Sequence, residues 1–240
     1  MRMSADRRPA ARESMAALMR LLEFTDSAFP VGTFSFSNTL ETAAGQGIVT
    51  DAASLGRYVR DVVRQAAFTD GITALHAFRS RLAEDYGGMI EADRQTILCK
   101  MNDEARLMTR RMGKKLAELS CRIVPDETLS RWLGDIVAER TPGTYPVAQG
   151  AVFAAGGIPE EGLFCSLLYG AANMVAGAAL RCVRVSHYDT QRILYRIGDE
   201  AGALYGEVRE MGFDDIRSFV PQMDILASLH EKGVQRMFMN

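Results

Sequence analysis

The sequence predicts an all-α fold, a single domain of about ten packed helices, and three observations carry that reading. Apolar residues recur at helical spacing from one end to the other, and nothing longer than a few residues alternates as a strand would. Capping and breaking residues punctuate those runs at intervals suited to short helices. Across 240 residues there is no repeat period, no low-complexity tract and no compositional boundary, so the length calls for nothing beyond one large core.

Taken in order, residues 1–13 read as a mobile basic tail, with Arg2, Arg7, Arg8 and Arg12 against Asp6 and Glu13, and residues 14–240 as the domain. No apolar stretch before Met15 is long enough for a signal peptide. The first helix is expected over Met15–Phe24, with Leu18, Leu21 and Leu22 at helical spacing. Pro30 then fixes φ and turns Phe29 away from helix, and Gly32 permits a tight turn. In Phe29-Pro30-Val31-Gly32-Thr33-Phe34-Ser35-Phe36-Ser37-Asn38-Thr39-Leu40-Glu41 two aromatics alternate with serines, a pattern that either anchors the turn in the core or offers an edge to a partner.

Leu40–Gln46 reads as a short helix stopped by Gly47. Thr50-Asp51 caps a helix whose inward face is Leu55, Tyr58, Val59, Val62 and Val63, and Thr69-Asp70 is expected to cap another running to about Tyr86. Gly87-Gly88 is read as a break before a helix over Met89–Lys100. Asn102-Asp103 opens a basic helix to Cys121, whose Arg106, Arg110, Arg111, Lys114 and Lys115 read as a solvated face. Pro125-Asp126 opens the next, with Leu129, Trp132, Leu133, Ile136 and Val137 inward.

Thr141-Pro142-Gly143-Thr144-Tyr145-Pro146 is a loop by composition, followed by a small apolar helix over Val147–Ala155. Pro159-Glu160-Glu161 starts a long helix at the end where the dipole favours acids. Gly162–Leu180 holds no charge over nineteen residues, the length of a membrane span. Its glycines, alanines, Ser166 and Asn173 supply too little bulk for lipid, so it is read as a central core helix. Gly170, Ala172, Ala176 and Gly177 give it faces that another helix could approach closely, from this chain or a second copy. A further helix follows Val185–Asp189 with Ile193, Leu194, Ile197, Leu204 and Val208, and the last runs from Ser218 onward. Asp214-Asp215 reads as a solvated loop.

With 48% hydrophobic and 24% charged residues, a net charge of -2 and a pI near 6.0, the chain resembles a soluble cytoplasmic protein with no global footprint for nucleic acid or a membrane. Cys99, Cys121, Cys165 and Cys182 form no CxxC pair and read as reduced, mostly buried thiols. No phosphate-binding loop and no nucleophile elbow occur. His230-Glu231 starts like a zinc helix, but Val234 stands where the second histidine belongs. Of three histidines, His76 lies on an apolar face and reads as structural. No catalytic, cofactor-binding or metal-binding residue is assigned. An enzyme or small-molecule binder using the 141–146 loop and His187 remains as the alternative, and a direct metal chaperone would need clustered ligands.

The Phe29–Glu41 stretch resembles the N-terminal signature of UreF-type urease accessory proteins, approximately Leu-Pro-Val-Gly-Gly-Phe-Ser-Tyr-Ser-x-Gly-Leu-Glu. Thr33 and Thr39 stand where that pattern has glycine, Phe36 where tyrosine is frequent, and Thr144 where the later loop often has histidine. Asn102–Arg106 is similar to the family's acidic helix start, Gln191-Arg192 to its Gln-Arg, and Pro221–Glu231 with Arg236-Met237-Phe238 to its C-terminal pattern. The resemblance implies an all-helical protein that is not itself an enzyme. It implies a homodimer that binds the UreD/UreH-type accessory protein and recruits the UreG-type GTPase to apo-urease for nickel-centre assembly. It also implies contact roles for Phe34, Ser35, Phe36 and Glu41 of the first motif and Gln191 and Arg192 after the long helix. Asp224, His230, Glu231 and Arg236 of the last motif are the remaining candidates, in a tail expected to order on the UreD/UreH-type partner.

Overall fold

The computed structural model describes residues 8–218, 220–231 and 237–239, with side chains given from residue 14 onward except that of Phe34. Eleven helical segments cover it, and no strand occurs among the described residues. They are α1 (Arg8–Thr25), α2 (Leu40–Gly45), α3 (Ala52–Ala66), α4 (Ile72–Leu82), α5 (Tyr86–Leu98) and α6 (Asp103–Ile123). The chain continues with α7 (Glu127–Val137), α8 (Tyr145–Ala155), α9 (Glu160–Cys182), α10 (His187–Val208) and α11 (Pro221–Glu231). Of the expected tail, residues 1–7 lie outside the described residues, and helical backbone begins at Arg8.

Most helix starts follow local chemistry. Asp51 and Ser54 form a reciprocal capping box at α3, and Ser186 and Asp189 form another at α10. Asn102 and Asp126 each accept a backbone N–H of the first turn at 2.8 Å, so Asp126 caps α7 and Pro125 stands outside it. Thr69-Asp70 starts nothing. Helix α3 runs through a π turn, Ala67–Gly71, directly into α4, because Thr69 bonds back to Gln65 O and Ala67, Phe68 and Gly71 around it are buried. The break expected at Gly87-Gly88 falls earlier, at Ala83–Asp85, where Glu84 turns with φ 56° and Asp85 caps α5.

The core centres on α8, buried from Pro146 to Ala154, lying against α4, α6 and α9. A Cβ on Gly150 would stand 2.5 Å from Ala74 O, so glycine is what lets α8 and α4 touch backbone to backbone. A Cβ on Gly113 would likewise collide with the Gly143 carbonyl, which fixes α6 against the 141–146 loop. Trp132, Phe68, Phe153 and Phe164 are the largest fully enclosed side chains.

Helix α9 is long and apolar enough to cross a membrane, yet over half of that apolar stretch is buried against the rest of the chain. It is the core helix the sequence suggests, packed on α2, α3, α4, α8 and α10. Ala172 and Ala176 are enclosed, whereas Gly170 and Gly177 have no neighbouring atom within 4 Å of a built Cβ. Three expectations are corrected by packing. Leu18 and Leu22 face solvent with Met15 and Met19, because Ala17 and Phe24 are the buried ones among the described side chains of α1. Val137, at 63% exposure, points outward from α7. None of the four thiols is fully buried, and Cys165 is exposed.

Candidate functional site

The two terminal motifs, some 190 residues apart, meet at one place. Thr33–Ser35 forms a single 3-10 turn behind Gly32, whose φ of 88° only glycine adopts without strain. Asn38 and Thr39 follow with φ 53° and 63°. The Tyr58 hydroxyl, from α3, holds this left-handed pair by contacting Thr39 Oγ1 at 2.5 Å and donating to Asn38 O at 2.9 Å. Phe36 is buried and anchors the turn in the core. The side chain of Phe34 lies outside the described residues.

Glu41 on α2 is the hub. Its carboxylate accepts the backbone N–H groups of Met237 at 2.8 Å and Phe238 at 3.0 Å, and faces His230 Nε2 at 3.2 Å. The other ring nitrogen, Nδ1, lies 2.9 Å from both carboxylate oxygens of Glu104 on α6. Through its two nitrogens the ring thus bridges the carboxyl group of α2 and that of α6. Burial pushes the Glu41 carboxyl up, but the two backbone donors and His230 outweigh it and hold the group below its ordinary range.

The described residues of the C-terminal segment are tied down at several points. Met239 N donates to Ser35 O at 2.8 Å, and the buried Phe238 ring lies under the Arg181 guanidinium at 4.1 Å. Glu231 accepts the first backbone N–H groups of α6, from Asp103 at 3.0 Å and Glu104 at 3.2 Å, a favourable place for negative charge. Asp224 accepts from the Asn102 amide at 3.1 Å. Ser35, Phe36, Glu41, Asp224, His230 and Glu231 therefore form one continuous assembly. Arg236 lies outside the described residues.

Gln191 and Arg192 are elsewhere, exposed on the first turns of α10, where Arg192 lies 3.6 Å from Asp189. The alternative site does not assemble: His187 is exposed at the start of α10, whereas Tyr145 and Pro146 of the loop line the central cleft without it. The loop instead wraps a carboxylate. Asp93, fully buried on α5, accepts from Thr141 Oγ1 at 2.5 Å, Gly143 N at 2.8 Å, Thr144 N at 2.7 Å and Thr144 Oγ1 at 2.5 Å. His76 bonds Met211 O at 2.9 Å and packs on Phe213, a structural role. Among the described residues no three His, Cys, Asp or Glu are placed to hold a metal ion.

Sequence reasoning missed Asp93 and the tethering roles of Tyr58, Glu104 and Arg181. For Asp93 a signal existed, since the Thr-x-Gly-Thr of the loop offers several donors to one acid. For the others the signal is tertiary.

Fold and site together define an all-helical protein whose clustered ionisable groups tie its own chain segments together, leaving exposed helical faces outside. The UreF family model matches residues 49–198. A "Urease accessory protein UreF 2" of Brucella canis is 44% identical over 227 residues, covering 95% of this chain and 93% of its own length. A "Urease accessory protein UreF" of Yersinia enterocolitica is 41% identical over 224 residues, covering 93% and 98%, and that of Yersinia pseudotuberculosis is 42% identical with the same coverage. The chain belongs to the UreF family of urease accessory proteins.

Proposed function

We propose that this protein is a non-enzymatic scaffold of urease maturation in the cytoplasm. It joins the UreD/UreH-type accessory protein and the UreG-type GTPase on apo-urease while the nickel centre is assembled, and it works as a homodimer. The observation that best supports this reading is the convergence of the two motifs through Glu41, His230 and Glu104. This cluster, with the Met239–Ser35 bond, holds Met237, Phe238 and Met239 in a defined shape, which is how a recognition surface is prepared in advance of binding. The exposed apolar row Met15, Leu18, Met19 and Leu22 on α1 adds a face suited to a partner.

Co-expression with the UreD/UreH-type protein and affinity purification test the proposal. A complex stable at micromolar concentration is expected, and it recruits the GTPase only when both accessory proteins are present. Failure to co-purify would overturn the scaffold reading.

A further inference from the structure

Helices α3 and α10 pack side by side and leave a groove of about 250 Å³ between them, lined by no residue of the two terminal motifs. Its floor is apolar, with Ala52, Ala53 and Gly56 from α3 and Ile193 and Ile197 from α10. A Cβ on Gly56 would meet only Ile193, at 3.7 Å and 3.9 Å, so packing does not demand a glycine there. In mid-helix a glycine costs stability relative to alanine, and what it provides here is open floor. An engineered cavity of about 150 Å³ in another protein encloses a benzene ring, so the groove has room for a side chain of leucine size.

Three guanidinium groups line the banks of the groove, those of Arg57 and Arg60 one turn apart on α3 and that of Arg196 on α10. Arg60 is matched, because it donates to Glu200 at 2.8 Å. Among the described residues neither Arg57 nor Arg196 has an ion pair. Asp51 stands near Arg57, but its carboxylate is engaged as the cap of α3, accepting from Ser54 N at 2.8 Å and Ser54 Oγ at 2.7 Å. An apolar floor is thus flanked from both helices by uncommitted positive charge. A guanidinium is weakly hydrated and grips a carboxylate through two parallel bonds, so the complement of this groove is an apolar group with acids on either side. A ligand with one carboxylate answers one bank; a stretch of polypeptide answers both. Arg196 lies one turn beyond Arg192, which makes the groove continuous with the exposed face of α10 that carries Tyr188 and Tyr195.

We propose that the groove between α3 and α10 is a docking site for an acidic segment of a partner protein. One aliphatic side chain of that segment seats on Gly56, Ile193 and Ile197, and carboxylates to either side of it pair with Arg57 and Arg196. The inference goes beyond the scaffold reading and does not depend on it, since it concerns what the groove recognises rather than which protein carries the segment.

The test is titration of the full-length protein, labelled with ¹³C at its isoleucine methyls, with the peptide acetyl-Asp-Glu-Leu-Glu-Glu-amide as probe. Binding with a dissociation constant on the order of 1 mM is expected, weakening as salt is raised. The methyls of Ile193 and Ile197 move together, while those of Ile72 and Ile158 in the core stay in place. Arg57→Gln combined with Arg196→Gln, both at exposed positions, is expected to weaken the peptide about tenfold or more. Glu200→Gln frees Arg60 and is expected to strengthen it about threefold. Gly56→Leu fills the groove and abolishes the response, with circular dichroism reporting whether it folds; the arginine variant decides the matter by itself if it does not. Unmoved Ile193 and Ile197 methyls at about 5 mM peptide would overturn the proposal. So would equal affinity in the arginine variant, or equal affinity for acetyl-Asn-Gln-Leu-Gln-Gln-amide, which keeps the leucine and lacks the charges.

Discussion

Thr39 shows what one departure from a family pattern demands of its neighbours. A β-branched residue at φ 63° is strained, and the pattern it departs from has glycine at that position. The strain is tolerated because the Tyr58 hydroxyl holds both Thr39 Oγ1 and Asn38 O. Tyr58→Phe removes that support and leaves the buried Thr39 hydroxyl without its partner, so a loss of about 1–3 kcal/mol is expected in urea unfolding. In a Thr39→Gly background the same substitution is expected to cost less, since glycine adopts the turn freely and has no hydroxyl to satisfy; equal penalties in both backgrounds would refute the coupling. Asp93 is the second such residue. Four donors converge on its carboxylate, and an amide at that position turns two of its own donors toward them. Asp93→Asn is expected to destabilise by about 3 kcal/mol and to lower Tm by roughly 6–12 °C, at about 2–4 °C per kcal/mol for a chain of this size. A calorimetric scan checks it.

At the scale of elements, the C-terminal segment has the clearest pH response. The Glu41 carboxyl is held below its ordinary value in the folded state, so its contribution is present above the unfolded value near 4.5 and is lost as pH falls through the depressed folded value. Amide exchange at Met237 and Phe238 is therefore expected to be protected at neutral pH and to accelerate relative to core amides in acid. Glu41→Gln is expected to speed exchange at those two amides about 10–100-fold at pH 7, because charge-assisted bonds become neutral ones. Unchanged exchange in the variant would show that Phe238 burial alone holds the segment. This element also marks where the sequence stops being legible. Helix starts were readable where a cap is a local arrangement of three or four residues, as at Asp51 and Asn102, whereas the Ser186 cap, which starts α10 inside the Val185–Asp189 stretch, was passed over. Which side of a helix faces inward was readable where one apolar face dominates, as in α3. On α1 it was not, because Leu18, Leu21 and Leu22 share a spacing that fits two faces and only packing against α9 chooses between them. The π turn was hidden for the same reason: Thr69-Asp70 has the chemistry of a cap, but the burial of Phe68 and Thr69 keeps the helix running through it. Both members of the terminal assembly were quoted as motifs, yet no spacing reveals that Glu41 and His230 touch.

At the scale of the molecule, the candidate residues divide into two regions with different duties. Six of them are bound up in the terminal assembly, so substituting them disturbs the fold and the surface together. Arg192 is free of that entanglement: its side chain is 64% exposed and its ion pair to Asp189, within the first turn of α10, is a surface contact worth little to stability. The same stretch of α10 exposes Tyr188 and Tyr195 at 82% and 79%, so the arginine stands between two large amphipathic rings that nothing among the described residues covers. Arginine flanked by tyrosines is the composition of an interface centre rather than of a solvated face. Arg192→Ala is therefore expected to leave Tm within about 2 °C of the parent, since surface substitutions of this kind fall within ±0.5 kcal/mol. It is expected at the same time to weaken GTPase recruitment by the assembled accessory proteins about tenfold or more, the scale of a hot-spot truncation. On the proposed scaffold function, with the terminal assembly serving the UreD/UreH-type protein, co-purification with that protein is expected to be unaffected. Titration of the GTPase against the purified accessory complex separates the two regions: a loss confined to the GTPase step assigns α10 to that partner, and an unchanged affinity removes Arg192 from the interface.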